Sequence, residues 1–433
     1  MDAFSLSRNV RHLTDPPHSR LRAVDGFRAL AVLWIIVMHC IWFQMPFIPA
    51  GELSRRLEAA PRWVIGGPYG VDVFFVISGF LIASILMGEH RRRGTIDVGR
   101  FYLRRFLKLM PAYFAALAIY AVTIGINNDT IWANVIYVNN FLDGARQAMT
   151  WSWSLAIEEQ FYFTFPCFLL FAFYLVPERR RLALLLTVLG VALVVNAAVV
   201  YAVGVRAPIP WSLGVYDRRF LDWAEAVYIK PYTRFGSLVC GIIAAHLYLT
   251  TDVGGWFVRR RRAALACFVL AAAVLIAVVA LPIHVSGPEW GAAASLLALS
   301  IYRYALSAAV AYLLLYSLGA YGGASTVLHR FFCWRPWYTV AQLAYSAYLL
   351  HPIVFVMVYA TLGPARVLAT PIAIFCVFLP PLSLLAAAVL YLAIERPFMN
   401  LRDLRVFGGR DARQATAASS PATSTSISSS LVR

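Results

Sequence analysis

Residues 28–46, RALAVLWIIVMHCIWFQMP, decide the fold, because this stretch begins with one charged residue and is otherwise almost entirely apolar. A helix needs about 20 mostly apolar residues to cross the hydrocarbon core of a bilayer. Nine further stretches have a similar length and composition, so the sequence predicts a polytopic membrane protein. The predicted spans are 28–46, 69–88, 109–126, 152–175, 182–203, 233–250, 263–283, 292–317, 338–360 and 371–394.

The composition indicates the same class of protein. Of the 433 residues, 61% are hydrophobic and 14% are charged, and the mean hydropathy is +0.69. This is more apolar than the surface of a soluble protein allows. We therefore predict an all-α, multi-pass protein of the inner (plasma) membrane with about ten transmembrane helices and the lipid bilayer as its surroundings.

The basic residues set the expected orientation of the chain. It carries 38 Lys and Arg against 21 Asp and Glu, a net charge of +17. Most of the basic residues lie in alternate connections between the spans, and cytosolic loops are the ones that carry excess Lys and Arg. We therefore expect both termini in the cytosol. Short clusters between apolar segments do not form the continuous basic surface of a nucleic-acid-binding protein, so no nucleic acid partner is predicted.

The two ends of the chain differ from its apolar middle. Residues 1–27 lack an early apolar core with a small-residue cleavage site, and we interpret them as an uncleaved cytosolic segment. Residues 28–400 form the transmembrane domain. Residues 401–433 are rich in Ser, Thr and Ala, and we expect a disordered cytosolic tail there. The six cysteines follow neither a disulfide nor a metal-ligand spacing, so no metal site is predicted.

The longest predicted outer loop, residues 204–231, mixes aromatic and acidic side chains. Aromatic faces and carboxylates together can hold a sugar, but interfacial aromatics beside solvated charges have the same composition. The sequence leaves both interpretations open. The residues concerned are Trp211, Tyr216, Asp217, Asp222, Trp223 and Glu225.

The first span carries two candidate catalytic residues, Arg28 at its inner edge and His39 near mid-membrane. At about 100° per residue, the two side chains return to nearly the same helix face, about 16 Å apart along the axis. A guanidinium suits a phosphate, and a neutral imidazole in an apolar site can act as a general base toward a hydroxyl. A snorkelling arginine and a hydrogen-bonded structural histidine would give the same pattern.

Basic residues also cluster just before the third span. Arg100, Arg104 and Lys108 recur every four residues and predict a basic stripe on a cytosolic helix, with Arg105 beside it. Such a stripe can bind the pyrophosphate and 3′-phosphate of coenzyme A, because arginine recognises phosphate through two parallel hydrogen bonds. The preceding triplet, residues 91–93, suits anionic lipid headgroups equally well.

The fourth span places two carboxylates inside the membrane. Glu158 and Glu159 lie about two turns from its predicted outer start, where an ionised group is costly unless it faces a polar cavity or a basic partner. Both are candidate catalytic residues, although one of them could be structural through a pair with an arginine. The arginines within or beside spans are Arg28, Arg234 and Arg303, and the neighbouring candidates for substrate binding are Ser152, Trp153, Gln160 and Tyr113.

Two more ionisable side chains within spans are candidates for substrate binding. His351 lies near the middle of the ninth span, before Pro352, which can leave a backbone carbonyl without its helical donor. It could orient a substrate or be a satisfied core residue. Asp72 lies near the outer edge of the second span, where we interpret Ser78 and Gly79 as helix-packing residues.

Taken together and in this order, these segments resemble the acyltransferase 3 family of integral membrane acyltransferases over residues 22–400. Each motif is weak alone, but the ordered set on ten spans is specific. The motifs are Arg28 to His39, Gly70-Val-Asp-Val-Phe-Phe-Val-Ile-Ser-Gly-Phe80, Arg104-Arg105 to Pro111, Trp153-Ser-Leu-Ala-Ile-Glu-Glu-Gln-Phe-Tyr162, Tyr345 to His351, and Glu395-Arg-Pro397.

The resemblance implies a transmembrane O-acyltransferase and makes residues 28–400 its acyltransferase domain. It implies acyl-coenzyme A as the cytosolic donor, with acetyl-coenzyme A as the leading candidate. It also implies essential roles for Arg28 and His39. The implied acceptor is a hydroxyl of an extracytoplasmic glycan such as exopolysaccharide or lipopolysaccharide, or else a macrolide-type small molecule. Family members often carry a second arginine where this chain has Lys108, which keeps the charge but loses the planar fork.

Two other classes of protein fit part of this pattern. A carrier or flippase for a lipid-linked or polar envelope molecule would use intramembrane Arg, Glu and His as a substrate or proton path. The sequence shows no internal repeat of the kind common in carriers. A structural scaffold would not need ionisable residues in the middle of three spans. The acceptor, the acyl chain, the choice between direct and two-step transfer and the oligomeric state stay open.

Overall fold

The computed structural model describes residues 4–17, 19, 21–203, 224–280 and 292–402. Within these ranges the chain forms helices and turns, and no strand is present. The α-helices are α1 (Leu6–Thr14), α2 (Ala23–Trp42), α3 (Ala50–Ala59), α4 (Arg62–Ile65), α5 (Tyr69–Arg93), α6 (Val98–Thr123), α7 (Ile131–Val135), α8 (Trp153–Leu175), α9 (Glu178–Ala202), α10 (Pro231–Thr250), α11 (Val253–Arg259), α12 (Arg261–Ala280), α13 (Ala292–Ser317), α14 (Ala324–Phe332), α15 (Arg335–Leu362), α16 (Pro364–Ala369), α17 (Ile372–Leu390) and α18 (Arg396–Arg402).

Helices of membrane-spanning length dominate the described part of the chain. Nine of them are long and apolar enough to cross a membrane, and a tenth is present if Ala224–Thr250 and Val253–Arg259, which are inclined at 82°, form one broken span. The prediction of an all-α protein with about ten transmembrane helices is confirmed. The chain is a multi-pass membrane protein, which in a bacterium resides in the plasma membrane. The cytosolic location of both termini stays a prediction.

The limits of α2 differ from those predicted for the first span. The helix begins at Ala23 and ends at Trp42, and the chain turns before Pro46. A proline disfavours helical conformation at the residue that precedes it, which helps to end the helix here. His39 therefore lies in the last turn of α2. Its partner His351 lies near the middle of α15, so the mid-membrane depth predicted for His39 stays a prediction.

The basic residues before the third span were predicted to lie on a cytosolic helix that precedes the span. Instead they belong to the spanning helix itself, because α6 runs unbroken from Val98 through Pro111 to Thr123. A proline is tolerated in a membrane helix where neighbouring groups satisfy the carbonyl that it leaves without a donor. The side chain of Asp97 caps the helix by accepting a hydrogen bond of 2.9 Å from the backbone N–H of Arg100. The basic residues therefore extend from the start of α6 into the helix bundle.

Glycines bring α5 and α10 into backbone contact. A Cβ atom built on Gly79 would overlap the carbonyl of Leu238, and one built on Gly241 would overlap the carbonyl of Val76. Small residues allow this close approach, which gains van der Waals contact between helices that share no hydrophobic driving force inside a bilayer. The packing role predicted for Gly79 agrees with this contact.

The direction of the helices defines two ends of the bundle. Gly26, near the start of α2, touches Phe332 just before α15, and His39 near the end of α2 contacts His351, so α2 and α15 run parallel. The helix α5 runs the opposite way, because Gly70 at its start lies against Ala31. We call the end at which α2, α6 and α15 begin the proximal end, and the opposite one the distal end.

Candidate active site

A cavity of about 100 Å³ lies inside the bundle between α2, α5, α6, α8 and α15. Its apolar wall comes mainly from α5, and its polar groups come from all five helices. The polar or ionisable residues that line it are Arg28, Ser78, Arg105, Lys108, Ser154, Glu158, Tyr162, Tyr345 and Tyr348; the apolar ones are Val71, Phe74, Phe75, Ile77, Leu81, Ile82, Leu109, Leu155 and Ala344.

Three cations from two helices converge on this cavity. Arg28 comes from α2, where it also pairs with Asp25 at 3.9 Å, and Arg105 and Lys108 come from α6. The guanidinium carbon of Arg105 lies 5.6 Å from the centre of the Tyr162 ring, close enough for a cation–π contact. The structure thus brings Arg28 to Arg105 and Lys108, from which it lies far apart in the sequence.

The other two basic residues predicted to bind the donor do not line the cavity. Arg100 and Arg104 lie nearer the start of α6 and make contacts of their own. At about 1.5 Å per residue, Arg100 stands about 12 Å from Lys108 along the helix axis. The predicted stripe is therefore a line that leads from the proximal end of α6 into the cavity.

A carboxylate and two hydroxyls form the acidic part of the cavity. The hydroxyl of Ser78 donates to Oε1 of Glu158 at 2.6 Å, and the hydroxyl of Tyr162 donates to Oε2 at 3.2 Å. Ser78 was predicted to serve helix packing, and this prediction was wrong, because its side chain joins α5 to α8 inside the cavity. No sequence pattern could have named its partner, since the two residues are far apart in the chain.

Glu159 and Gln160, which follow Glu158, do not line the cavity. Successive residues of a helix point about 100° apart, so the three side chains diverge. The amide nitrogen of Gln160 donates to the carbonyl of Tyr137 at 2.8 Å and to Oδ1 of Asn140 at 2.9 Å. Among the residues that the structure describes, none forms a hydrogen bond or ion pair with the side chain of Glu159. The two hydrogen bonds of Gln160 hold the connection before α8 against the bundle.

The three other residues predicted around the start of α8 also lie outside the cavity wall. The hydroxyl of Ser152 accepts from the amide of Asn134 at 2.9 Å, and Tyr113 donates to the carbonyl of Asn134 at 3.3 Å. The ring of Trp153 lies 4.9 Å from that of Tyr228. These contacts fasten the segment between α6 and α8 to the membrane helices.

Asp72 belongs to a buried ion cluster that joins α5, α10 and α13. Its carboxylate lies 3.3 Å from Arg234 and 3.2 Å from Arg303, and it accepts a hydrogen bond of 3.0 Å from Ser237. The suggestion that Glu158 or Glu159 pairs with one of these two arginines was wrong. The three helices meet at the level of Asp72, so its carboxylate is the one that both guanidiniums reach.

The two predicted histidines form a pair beyond the distal side of the cavity. Nδ1 of His39 lies 2.7 Å from Nε2 of His351, and the ring planes are inclined by only 7° with centres 5.0 Å apart. A separation of 2.7 Å is too short for stacked rings, so this is a hydrogen bond close to the plane of both rings. Neither imidazole lines the cavity. Tyr348 does so, and its ring centre lies 5.8 Å from that of His351.

Two residues outside the predicted set complete the surroundings of the cavity. Tyr345 lines it and donates to the carbonyl of Leu109 at 3.1 Å. Glu395 is buried, accepts a hydrogen bond of 2.6 Å from Ser346 and interacts electrostatically with Lys108. Both residues stand in motifs of the family resemblance, but neither was given a role there. The position of a carboxylate directly after an apolar span was the sequence signal that could have made Glu395 a candidate.

Part of the predicted outer loop and the predicted tail lie outside the described residues. This concerns the tail after Arg402 and the loop residues Trp211, Tyr216, Asp217, Asp222 and Trp223. Of that loop set, Glu225 is described, and one of its carboxylate oxygens accepts a hydrogen bond of 2.8 Å from the backbone N–H of Gly144.

Comparison with known proteins gives one family and several relatives. The model of an acyltransferase domain matches residues 21–392. The chain is 30% identical over 239 residues to the peptidoglycan O-acetyltransferase of Listeria monocytogenes. The aligned region covers 50% of this chain and 35% of that protein. It is also 30% identical over 244 residues to a protein of Staphylococcus aureus strain COL that is provisionally named an O-acetyltransferase. That aligned region covers 52% of this chain and 34% of the relative.

A third relative agrees with these two. A protein of Bacillus subtilis provisionally named a peptidoglycan O-acetyltransferase is 31% identical over 208 residues, which is 43% of this chain and 30% of that protein. The matched part of the chain therefore spans about a third of the length of each of these curated relatives. No solved structure matches the chain.

Proposed function

Because the chain belongs to the acyltransferase 3 family, whose domain matches residues 21–392, we propose that it is an integral membrane O-acyltransferase. It takes an acyl group, acetyl in the simplest case, from acyl-coenzyme A at the proximal end of the bundle. It transfers this group to a hydroxyl of a cell-envelope glycan at the distal end. The observation that carries the proposal is the cavity, in which three cations meet a carboxylate and a serine inside a membrane protein.

The size of the cavity limits what part of the donor it can hold. Pockets for drug-sized ligands have volumes of about 300–1,000 Å³, and this cavity of about 100 Å³ is too small for the whole of coenzyme A. It suits the thioester end of the donor. The phosphates then lie nearer the proximal end, where Arg100 and Arg104 continue the line of positive charge along α6.

His39 is the proposed general base. The acceptor oxygen attacks the thioester carbonyl carbon, its proton moves to Nε2 of His39, and the C–O bond forms as the C–S bond breaks. The leaving thiolate takes that proton from the imidazolium. An alcohol and a thioester become an ester and a thiol, and His39 returns to its neutral form. Since Tyr348 stands between the cavity and His351, the acyl group passes this ring to reach His39.

The acceptor in this proposal is a polysaccharide of the cell envelope. Two relatives have names that specify peptidoglycan, which supports a glycan acceptor over a macrolide. Comparison of envelope glycans by mass before and after deletion of the gene tests this assignment. Loss of one acyl group per defined sugar is the expected result, and an unchanged glycan profile would contradict a glycan acceptor.

Thiol release tests the reaction itself. The purified protein in vesicles receives acetyl-coenzyme A and a glycan acceptor, and free thiol is measured with time. We expect acceptor-dependent release together with acetylated glycan. A carrier or flippase that performs no chemistry would release none, and that result would overturn the proposal. Radiolabelled acetyl retained on the protein in the absence of acceptor would identify a two-step route through an acyl-imidazole.

A further inference from the structure

His351 has a hydrogen-bond partner on each side of its ring. Its Nε2 lies 2.7 Å from Nδ1 of His39, and its Nδ1 lies 3.0 Å from the backbone carbonyl oxygen of Ala347. The side chain of His351 is fully buried. Both ring nitrogens of His351 are therefore engaged, whereas His39 uses its Nδ1 in this pair.

These contacts fix which nitrogens carry the protons. A carbonyl oxygen can only accept a hydrogen bond, so Nδ1 of His351 carries a hydrogen and donates to Ala347. A neutral imidazole carries one N–H, which leaves Nε2 of His351 as an acceptor. The hydrogen of the 2.7 Å bond then belongs to Nδ1 of His39. Nε2 of His39 consequently keeps its lone pair, which is the form that a base requires.

We propose that His351 is a positioning residue that holds His39 in the tautomer with a basic Nε2. This inference rests on the proposed function and adds the element that the base assignment lacked. When His39 takes the hydroxyl proton, its Nδ1–H donates from an imidazolium, and the bond to His351 becomes charge-assisted and stronger. His351 therefore stabilises His39 more in the protonated state than in the resting state, which lowers the barrier to proton transfer.

A second histidine suits this location better than a carboxylate would. An ionised carboxylate in an apolar, membrane-spanning bundle is costly unless it is paired, whereas a neutral imidazole can accept the same hydrogen bond without a charge. His351 also cannot pass a proton further, because its Nδ1 is bonded to the carbonyl oxygen of Ala347, which does not take up a proton. The proton on His39 thus remains available for the leaving thiolate.

Ring side chains surround the pair. Aromatic rings flank both imidazoles. The ring centre of Phe43 lies 5.3 Å from that of His39, and the ring centre of Phe355 lies 5.6 Å from that of His351. Tyr348 is fixed by a hydrogen bond of 2.6 Å with Ser154. On the side of His351, which is fully buried, water does not compete for the bond between the histidines.

Two variants of His351 separate positioning from packing. In His351→Gln, an amide oxygen can stand near the place of the imidazole Nε2 and accept from His39, while the amide N–H remains a donor. In His351→Leu the acceptor is gone. We expect kcat to fall by at least about tenfold in His351→Leu and much less in His351→Gln, with the KM for acetyl-coenzyme A unchanged in both, because one lost transition-state hydrogen bond of about 1.5–3 kcal/mol is involved.

The tautomer itself provides a readout that does not depend on activity. In protein labelled with ¹⁵N-histidine, we expect His39 to carry its hydrogen on Nδ1 in the wild type and in His351→Gln, and to lose this preference in His351→Leu. A wild-type His39 protonated on Nε2, or equal kcat losses in the two variants, would overturn the proposal. If His351→Leu fails to fold, the wild-type spectrum decides. Absence of thiol release from the wild type would instead contradict the proposed function.

Discussion

The hydroxyl of Ser78 donates to Oε1 of Glu158 across 2.6 Å, and this bond joins α5 to α8 inside the cavity. Replacing the serine leaves a part-buried carboxylate oxygen without its donor, which costs on the order of 1 kcal/mol. We expect Ser78→Ala to lower the midpoint of thermal unfolding in detergent and to reduce acyl transfer. Thr187→Val is the matched control, because the Thr187 hydroxyl donates to the carbonyl of Ala183 in its own exposed turn. Equal stability of the two variants would contradict this role.

His39→Ala removes the proposed base. We expect kcat for acyl transfer to fall by about 10²- to 10⁴-fold, the range that a general base supplies, while the amount of protein in the membrane stays normal. His246→Ala, a buried histidine on α10 away from the pair, serves as the control. Acetylation of the acceptor at the wild-type rate in His39→Ala would remove the base assignment.

Lys108→Met removes one of the three cations of the cavity with little change in side-chain length. We expect the Kd for acetyl-coenzyme A to rise by about tenfold or more, since a hydrogen bond to a charged group contributes about 1.5–3 kcal/mol. Arg259→Met, at an exposed arginine that pairs with Asp252, should leave this Kd unchanged. Isothermal titration of the purified variants measures both values, and an unchanged Kd in Lys108→Met would move the donor site elsewhere.

Asp72→Asn removes the negative charge that both Arg234 and Arg303 contact in the buried cluster. Breaking a buried ion pair costs about 3–5 kcal/mol, so we expect a large loss of monodisperse protein and a lower unfolding midpoint. Asp252→Asn, in an exposed pair, should change little. If Asp72→Asn folds normally but binds the acceptor less tightly, Asp72 is a substrate ligand, as the sequence analysis predicted.

Gly79→Ala tests the backbone contact between α5 and α10. The added Cβ overlaps the carbonyl of Leu238, and overpacking of this kind typically costs about 1–3 kcal/mol. Gly190→Ala on α9 is the matched control, because nothing lies within 4 Å of the added Cβ, and we expect it to stabilise its helix by about 0.5–1 kcal/mol. Thermal unfolding in detergent compares the two, and an unchanged midpoint in Gly79→Ala would show that the helices can separate slightly.

The helical elements were predictable because each span is a local property of the sequence. An apolar run of the required length forms a helix in a bilayer whatever its neighbours are. The ends of the spans were less predictable. The basic residues of α6 continue into the span through Pro111, and α2 ends at Trp42. Proline and charge do not end a membrane helix by themselves when neighbouring helices satisfy their polar groups.

The sequence alone determined the membrane-length helices and several of the residues that matter within or beside them. His39, Glu158 and His351 were recognised by the cost of a polar group in an apolar segment, and Arg28 and Lys108 by their position at the edge of one. Only the tertiary structure decided their partners. It joined Glu158 to Ser78, Asp72 to two arginines, and His39 to His351. Helix formation depends on neighbours in sequence, whereas these contacts depend on how distant helices pack against one another, which no local pattern encodes.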